Sequence, residues 1–132
     1  MLPTSDLRLI AEARLEDAKA LVAASRYDGA VYLGGYAVEI ALKIRICKTL
    51  NWIDYPMTRG EFQNYGSFRT HDLDVLLHLS GVETDIKLKF LADWSTVTQW
   101  NPELRYKSIG SATRASAAEL VQSAEKLVRF LC

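Results

Sequence analysis

The chain has 132 residues, with 16 Lys and Arg against 16 Asp and Glu, so its formal net charge is zero. That length fits one ordinary domain, and 49% hydrophobic and 24% charged residues lie close to the average for globular proteins. The composition excludes a disordered chain and a charge-driven nucleic-acid binder, and two cysteines are too few for a disulfide scaffold. We expect no transmembrane helix and no signal peptide, and therefore a cytoplasmic protein without membrane contact.

Apolar residues recur at intervals of three and four near the start of the chain. This stripe predicts a first helix capped by one of three polar residues, Thr4, Ser5 or Asp6. Residues 25–29 are typical of a turn, and a second helix is predicted from about residue 28 to residue 50. Apolar residues cover so much of this second helix that we expect it to be the central, most buried one.

Gly34 and Gly35 lie inside the second predicted helix. Each glycine destabilises a helix by roughly 1 kcal/mol relative to alanine. We therefore expect that the missing side chains allow the close approach of a neighbouring helix.

The helical periodicity fails between residues 51 and 68, which we call the aromatic-rich segment. It is interrupted by Pro56, Gly60 and Gly66. Its five aromatic residues are Trp52, Tyr55, Phe62, Tyr65 and Phe68. So many large rings predict that the segment folds back onto the helices or forms a contact surface.

The second half of the chain returns to helical periodicity. A short third helix is predicted after a cap at Thr70 or Asp72, ending at Gly81, and a fourth from about residue 84 to residue 98. An irregular piece over residues 100–110 leads to the last helix, and no strand pattern is convincing. We predict an all-α fold, an up-and-down bundle of four long helices plus a short helix, as a single domain over residues 1–132.

The sequence lacks the common metal and phosphate-loop motifs. Its two histidines, His71 and His78, have no cysteine or third histidine beside them, whereas zinc normally needs three or four ligands. We therefore predict no metal site and no cofactor.

A polar stripe crosses the otherwise apolar second helix, formed by Tyr32, Tyr36, Glu39 and Lys43. These residues are spaced by four, three and four positions, so they share one face. A buried carboxylate needs a partner. The candidates for Glu39 are Lys43, Arg69 and Arg105, and the alternative is an ordinary Glu–Lys pair at a half-exposed edge.

A second candidate lies in the proline-broken segment that ends in Arg105 and Tyr106. An arginine in such a loop is not needed to build a helix, and its guanidinium suits bidentate binding of a phosphate or carboxylate. The alternative is that Arg105 anchors the loop to an acidic side chain such as Glu39.

These patterns also resemble a known family. The first two helices carry Ala13-Arg14-Leu15-Glu16-Asp17-Ala18, Arg26-Tyr27-Asp28-Gly29-Ala30, Gly34-Gly35-Tyr36-Ala37-Val38-Glu39 and Ala41-Leu42-Lys43. Later come Thr70-His71-Asp72-Leu73 and Arg105-Tyr106. In this order the motifs resemble a HEPN domain (higher eukaryotes and prokaryotes nucleotide-binding) over most of the chain.

The resemblance implies a helical bundle that forms a homodimer in a prokaryotic toxin–antitoxin or defence setting. Many members are metal-independent RNases with an Arg-x4-6-His motif, and others pair with a nucleotidyltransferase. The positions required for that arginine hold Asn64, Tyr65 and Gly66 before His71, so the motif is missing.

Three functions follow as expectations. We favour a non-catalytic binding or interaction module, with a polar cluster of Tyr36, Glu39, Lys43, Arg105 and Tyr106. The second is an RNase with a rearranged site around His71 and Arg69 or Arg105. The third is a nucleotide-binding protein that uses the same cluster, with Arg105 on the phosphate.

Overall fold

The computed structural model describes residues 2–132 and has six α-helices within them. They are α1 (Thr4–Ala23), α2 (Tyr27–Leu50), α3 (Leu73–Ser80), α4 (Glu83–Lys89), α5 (Leu91–Val97) and α6 (Arg114–Leu131). The structure also has two short 3-10 helices, Gly66–Phe68 and Pro102–Tyr106. Two strands of two residues each, β1 (Leu2–Pro3) and β2 (Asp54–Tyr55), pair in the antiparallel direction. The predicted all-α class is confirmed. No described helix is both long and apolar enough to cross a bilayer.

Helix α2 lies at the centre of the bundle, as predicted, and packs against α1, α3 and α6. Its two internal glycines explain how closely its neighbours approach. A Cβ on Gly34 would lie 2.8 Å from the side chain of Leu120 in α6, and one on Gly35 would lie 2.1 Å from the Trp100 ring. Close approach of a helix is therefore confirmed at Gly34, while Gly35 makes room for an indole.

The start of α1 differs from the prediction. The N-cap is Pro3, and none of the expected caps, Thr4, Ser5 or Asp6, fills that role. The backbone N–H of Thr4 instead donates to the Ile53 carbonyl at 3.1 Å. Ile53 directly precedes β2, so the β1–β2 pair brings this acceptor to the start of α1. A pair of two-residue strands is too short to produce a sequence alternation.

Helix α3 begins and ends as predicted. The Asp72 carboxylate accepts hydrogen bonds from the backbone N–H groups of Asp74, at 3.0 Å, and Val75, at 3.2 Å. Gly81 follows the helix with φ of +80°, a left-handed conformation that favours glycine.

The helix predicted over residues 84–98 is divided into α4 and α5. Phe90 leaves the helical region with φ of −132° and ψ of 32°. Its ring lies 5.1 Å from that of Phe130 in α6. The break redirects the chain so that α5 packs against α6.

The aromatic-rich segment folds back onto the bundle, as predicted. Tyr55 is fully buried, and its hydroxyl donates to the Phe68 carbonyl at 2.7 Å. The Trp52 ring lies 5.1 Å from both Tyr65 and Phe68. These edge and tilted contacts hold the segment in one conformation.

Candidate functional site

The structure divides the predicted polar cluster into two groups. Glu39 and Lys43 meet His71, and we call these three residues the Glu39 group. Arg105 and Tyr106 instead lie beside a cavity next to the start of α2. Each group supports a different chemistry.

Glu39 is a buried carboxylate with two partners. Only 2% of its side chain is exposed. Its Oε2 accepts from Lys43 Nζ at 3.2 Å, and its Oε1 lies 2.9 Å from His71 Nδ1. The alternative of a half-exposed Glu–Lys pair is therefore wrong, because the carboxylate is buried and has a histidine as a second partner.

The hydrogen bond to Glu39 fixes the tautomer of His71. An ionised carboxylate only accepts hydrogen bonds, so Nδ1 of His71 carries the hydrogen. In the neutral imidazole, Nε2 then has a free lone pair. Since 64% of the His71 side chain is exposed, the arrangement presents an oriented base at the surface.

The aromatic-rich segment covers the other side of the Glu39 group. Lys43 Nζ lies 5.4 Å from the centroid of the Tyr55 ring, a cation–π contact. Burial, reinforced by the charges of Cys47 and Glu39, raises the pKa of Tyr55 far above its usual range. Tyr55 is therefore neutral at physiological pH, and its hydroxyl acts as a hydrogen-bond donor.

Arg69, the arginine expected beside His71, is exposed and makes no ion pair within residues 2–132. It lines a separate concavity of about 510 Å³ together with Arg59. The structure therefore records no direct contact between Arg69 and the Glu39 group among the described residues.

The second group borders a cavity of about 840 Å³. Its lining combines cations, hydroxyl groups and aromatic rings, including Arg105, Lys107, Ser95, Thr96, Tyr32 and Trp100. The Trp100 indole Nε1 donates to the Tyr32 carbonyl at 3.0 Å and its ring fills the space above Gly35. One wall of the cavity is thus fixed by the core of the bundle.

Arg105 does not contact Glu39, so the anchoring role considered for it is not observed. Its guanidinium carbon lies 4.9 Å from the centroid of the Tyr106 ring. The phenol groups of Tyr32 and Tyr106 raise the pKa of Arg105 further above its usual value. No carboxylate in the described chain pairs with Arg105, whose hydrogen-bond partners are the Tyr32 and Tyr106 side chains, so its positive charge is not neutralised there.

Asp28 holds the loop that closes the cavity, and the sequence reasoning missed this role. Its carboxylate accepts from the backbone N–H groups of Gly110 at 2.7 Å and Ala112 at 2.8 Å. These two hydrogen bonds lower the pKa of Asp28. The only signal was an aspartate at the start of a helix, which by itself indicates a favourable interaction with the helix dipole.

Tyr36 lies between the two groups. Its ring is parallel to that of Tyr32 at 6.5 Å, and Tyr32 lies 6.1 Å from Trp100. Burial, with a smaller contribution from Glu39, raises the pKa of Tyr36. The two predicted halves of the cluster are thus joined by a row of rings along α2.

Within residues 2–132 no group of three or more His, Cys, Asp or Glu side chains is arranged to hold a metal ion. His78 lies apart from His71, and its Nδ1 is 3.1 Å from Glu83 Oε2.

No family model, no curated protein and no solved structure matches this chain.

Proposed function

We propose that the protein is a HEPN-like binding module that holds a nucleotide, or a phosphorylated molecule of similar size, in the cavity beside Arg105. The observation that carries this proposal is the lining of the cavity, which joins a guanidinium without a carboxylate partner among the described residues to hydroxyl groups and aromatic rings. A volume of about 840 Å³ falls in the range of small-molecule sites.

The charges of the cavity suit a phosphate at one end. Arg105 and Lys107 supply two cations, and a guanidinium can donate two parallel hydrogen bonds to a phosphate. The Ser95 hydroxyl provides a partner for a sugar, whereas the Thr96 hydroxyl already donates to Glu119 Oε1 at 3.3 Å. Glu119, which also lines the cavity, offers a carboxylate acceptor for hydroxyl or amino groups of the ligand.

The setting of this activity is proposed from the family resemblance. We propose a homodimer in a prokaryotic toxin–antitoxin or defence system, with a nucleotidyltransferase as a possible protein partner. Exposed leucines support self-association, since Leu88 is 78% and Leu91 58% exposed on neighbouring helices. Sedimentation velocity of the protein, alone and with Leu88→Lys, measures whether a dimer forms and depends on this face.

The binding proposal is tested by isothermal titration calorimetry with adenosine, adenosine 5′-monophosphate and adenosine 5′-triphosphate. We expect the phosphorylated ligands to bind and Arg105→Gln to weaken them about tenfold, because a charge-assisted hydrogen bond is lost. Arg114→Gln is the matched control, since Arg114 is exposed and does not line the cavity. Equal affinity in both variants, or no binding of any phosphorylated ligand, contradicts the proposal.

A second candidate function is metal-independent RNA cleavage at His71. The observation that favours it is the hydrogen bond from His71 to the buried Glu39 carboxylate, which leaves Nε2 able to accept the proton of a 2′-hydroxyl. Arg69, two residues before His71, and Arg105 were the arginines considered for the phosphate. Arg105 lies instead at the cavity, so only Arg69 remains close to His71 in the chain.

This candidate is tested by incubating the protein with single-stranded RNA in EDTA. Cleavage is expected to fall at least a hundredfold in His71→Ala and to persist in His78→Ala, which removes the other exposed histidine. Cleavage that survives in His71→Ala, or the absence of any cleavage by the parent protein, removes this candidate and leaves the binding module.

A further inference from the structure

We propose that Arg59 and Arg69 form a phosphate-binding site on the aromatic-rich segment, separate from the cavity beside Arg105. The site is a concavity of about 510 Å³ lined by Arg59, Gly60, Phe62, Gln63, Gly66 and Arg69. The inference goes beyond the proposed function and does not rest on it, because none of these residues lines the larger cavity.

Positive charge is concentrated at this concavity. Residues 51–82 carry two basic residues, Arg59 and Arg69, and both line this concavity. Neither makes an ion pair within the part of the chain that the structure describes, although the same stretch holds four acidic residues. Two unpaired guanidinium groups that face one depression are a site for an anion, since together they supply several parallel donors.

The acidic residue nearest in sequence does not occupy this site. The Glu61 carboxylate accepts from Thr58 Oγ1 at 3.0 Å and from the backbone N–H of Met57 at 3.4 Å. It does not line the concavity. No acidic side chain among the described residues lines the concavity, so an anionic ligand would meet the two arginines there.

The backbone that carries Arg69 is already ordered in the folded protein. Arg69 directly follows Phe68, whose ring packs on Trp52 and whose carbonyl accepts from the buried Tyr55 hydroxyl. The backbone N–H of Arg69 donates to the Gly66 carbonyl at 3.1 Å. The segment is thus held by the core, so little of the backbone has to be ordered when a ligand binds.

The glycines leave the concavity open. A Cβ at Gly60 or at Gly66 would meet no atom within 4 Å, so no other part of the described chain fills the space beside them. The backbone at these positions is accessible to a tetrahedral anion between the two arginines. Gln63 adds an amide that can donate to the same group.

The phosphate has two chemical sources, a free nucleotide or a nucleic-acid strand. The exposed ring of Tyr65, at 44% exposure in the same segment, offers a stacking surface to a base from either source. The experiment therefore begins with inorganic phosphate and then compares the two sources.

The test follows the backbone amide signals of Gly60 and Gly66 by NMR, because both glycines line the site. Sodium phosphate is titrated at constant ionic strength, with sodium chloride as the matched salt. We expect saturable shifts of both signals with phosphate only. The Arg59→Gln and Arg69→Gln variants are each expected to weaken binding about tenfold, whereas Arg114→Gln has no effect. All three arginines are exposed, so the variants are expected to fold.

The same titration is then carried out with adenosine 5′-monophosphate and with a short single-stranded oligonucleotide. The ligand that binds with the higher affinity shows whether the phosphate comes from a free nucleotide or from a nucleic-acid strand. Shifts that do not saturate, or that persist unchanged in the variant with both arginines replaced, overturn the inference. Loss of nucleotide binding in Arg105→Gln with retained shifts at Gly60 and Gly66 separates this site from the cavity.

Discussion

Glu39 and His71 form a hydrogen bond of 2.9 Å, although the Glu39 side chain is only 2% exposed and the His71 side chain is 64% exposed. The bond crosses from the centre of the bundle to its surface. A buried carboxylate that has lost its water must keep its partners, so Glu39 holds both Lys43 and the segment that carries His71. This relationship gives the first prediction.

The tautomer of His71 is expected to be set by Glu39. In the parent protein, ¹⁵N NMR of the neutral imidazole at alkaline pH should show the hydrogen on Nδ1, the tautomer that the Glu39 carboxylate stabilises. In Glu39→Gln the amide can present either an acceptor or a donor, so the preference for Nδ1–H is expected to weaken. His78 serves as the internal control, and an unchanged His71 tautomer in Glu39→Gln argues against the bond.

Gly35→Ala is expected to destabilise the protein by about 2 kcal/mol or more. The new methyl group would overlap the Trp100 ring, and the cost of overpacking exceeds the roughly 1 kcal/mol gained from replacing a helical glycine. Urea unfolding measures the change. Gly29→Ala is the control, because its nearest contact is the flexible tip of Leu21 at 3.2 Å. Equal stability of the two variants means that Trp100 does not fill this space.

Asp28 is expected to hold the loop at residues 110–112 in a pH-dependent way. Folding lowers the pKa of Asp28 from its usual value of 3.8. The stability that the ionised carboxylate contributes to this loop is therefore fully present above pH 3.8 and is lost as the pH falls through the lowered pKa of the folded state. At neutral pH, Asp28→Asn should reduce the hydrogen-exchange protection of the Gly110 and Ala112 amides. The difference between variant and parent should vanish in acid, and Asp6→Asn should leave these amides unchanged.

The two cysteines are expected to differ in reactivity. Cys47 is fully buried, and its burial raises the pKa of its thiol to about 11, so little thiolate is present at pH 8. Burial also raises the pKa of Cys132, which is nevertheless partly exposed. Mass spectrometry after iodoacetamide treatment should find Cys132 labelled first and Cys47 only in denaturant. Labelling of Cys47 at an equal rate in the folded protein would show that its helix opens.

Local sequence signals predicted most of the fold, because periodicity and capping act over a few residues. The Asp72 cap and the third helix are examples. The break at Phe90 was not predicted, since it depends on a ring contact with Phe130, 40 positions away in the chain. The hydrogen bonds that Asp28 accepts from Gly110 and Ala112 were not predicted for the same reason, because these donors lie 82 and 84 residues away in the chain.

The contacts among the candidate residues were predicted only in part. Helical spacing correctly paired Glu39 with Lys43, because residues four apart share a face. The sequence offered no way to decide which distant side chain would join them. His71 does so because the aromatic-rich segment packs against the bundle and places the following residues beside α2.

Helix α2 carries residues of both sites, among them Tyr32 at the cavity and Glu39 at the histidine, which are seven positions or about 10 Å apart. Both lie on the same helix, and the Trp100 indole packs directly against the backbone of that helix at Gly35. A ligand in the cavity would therefore contact Tyr32 and the Trp100 ring, which lie on or against the helix that also carries the Glu39 carboxylate. Any effect of such a ligand on the His71 hydrogen bond would have to be reciprocal, so a change at Glu39 would alter the affinity of the cavity by the same factor.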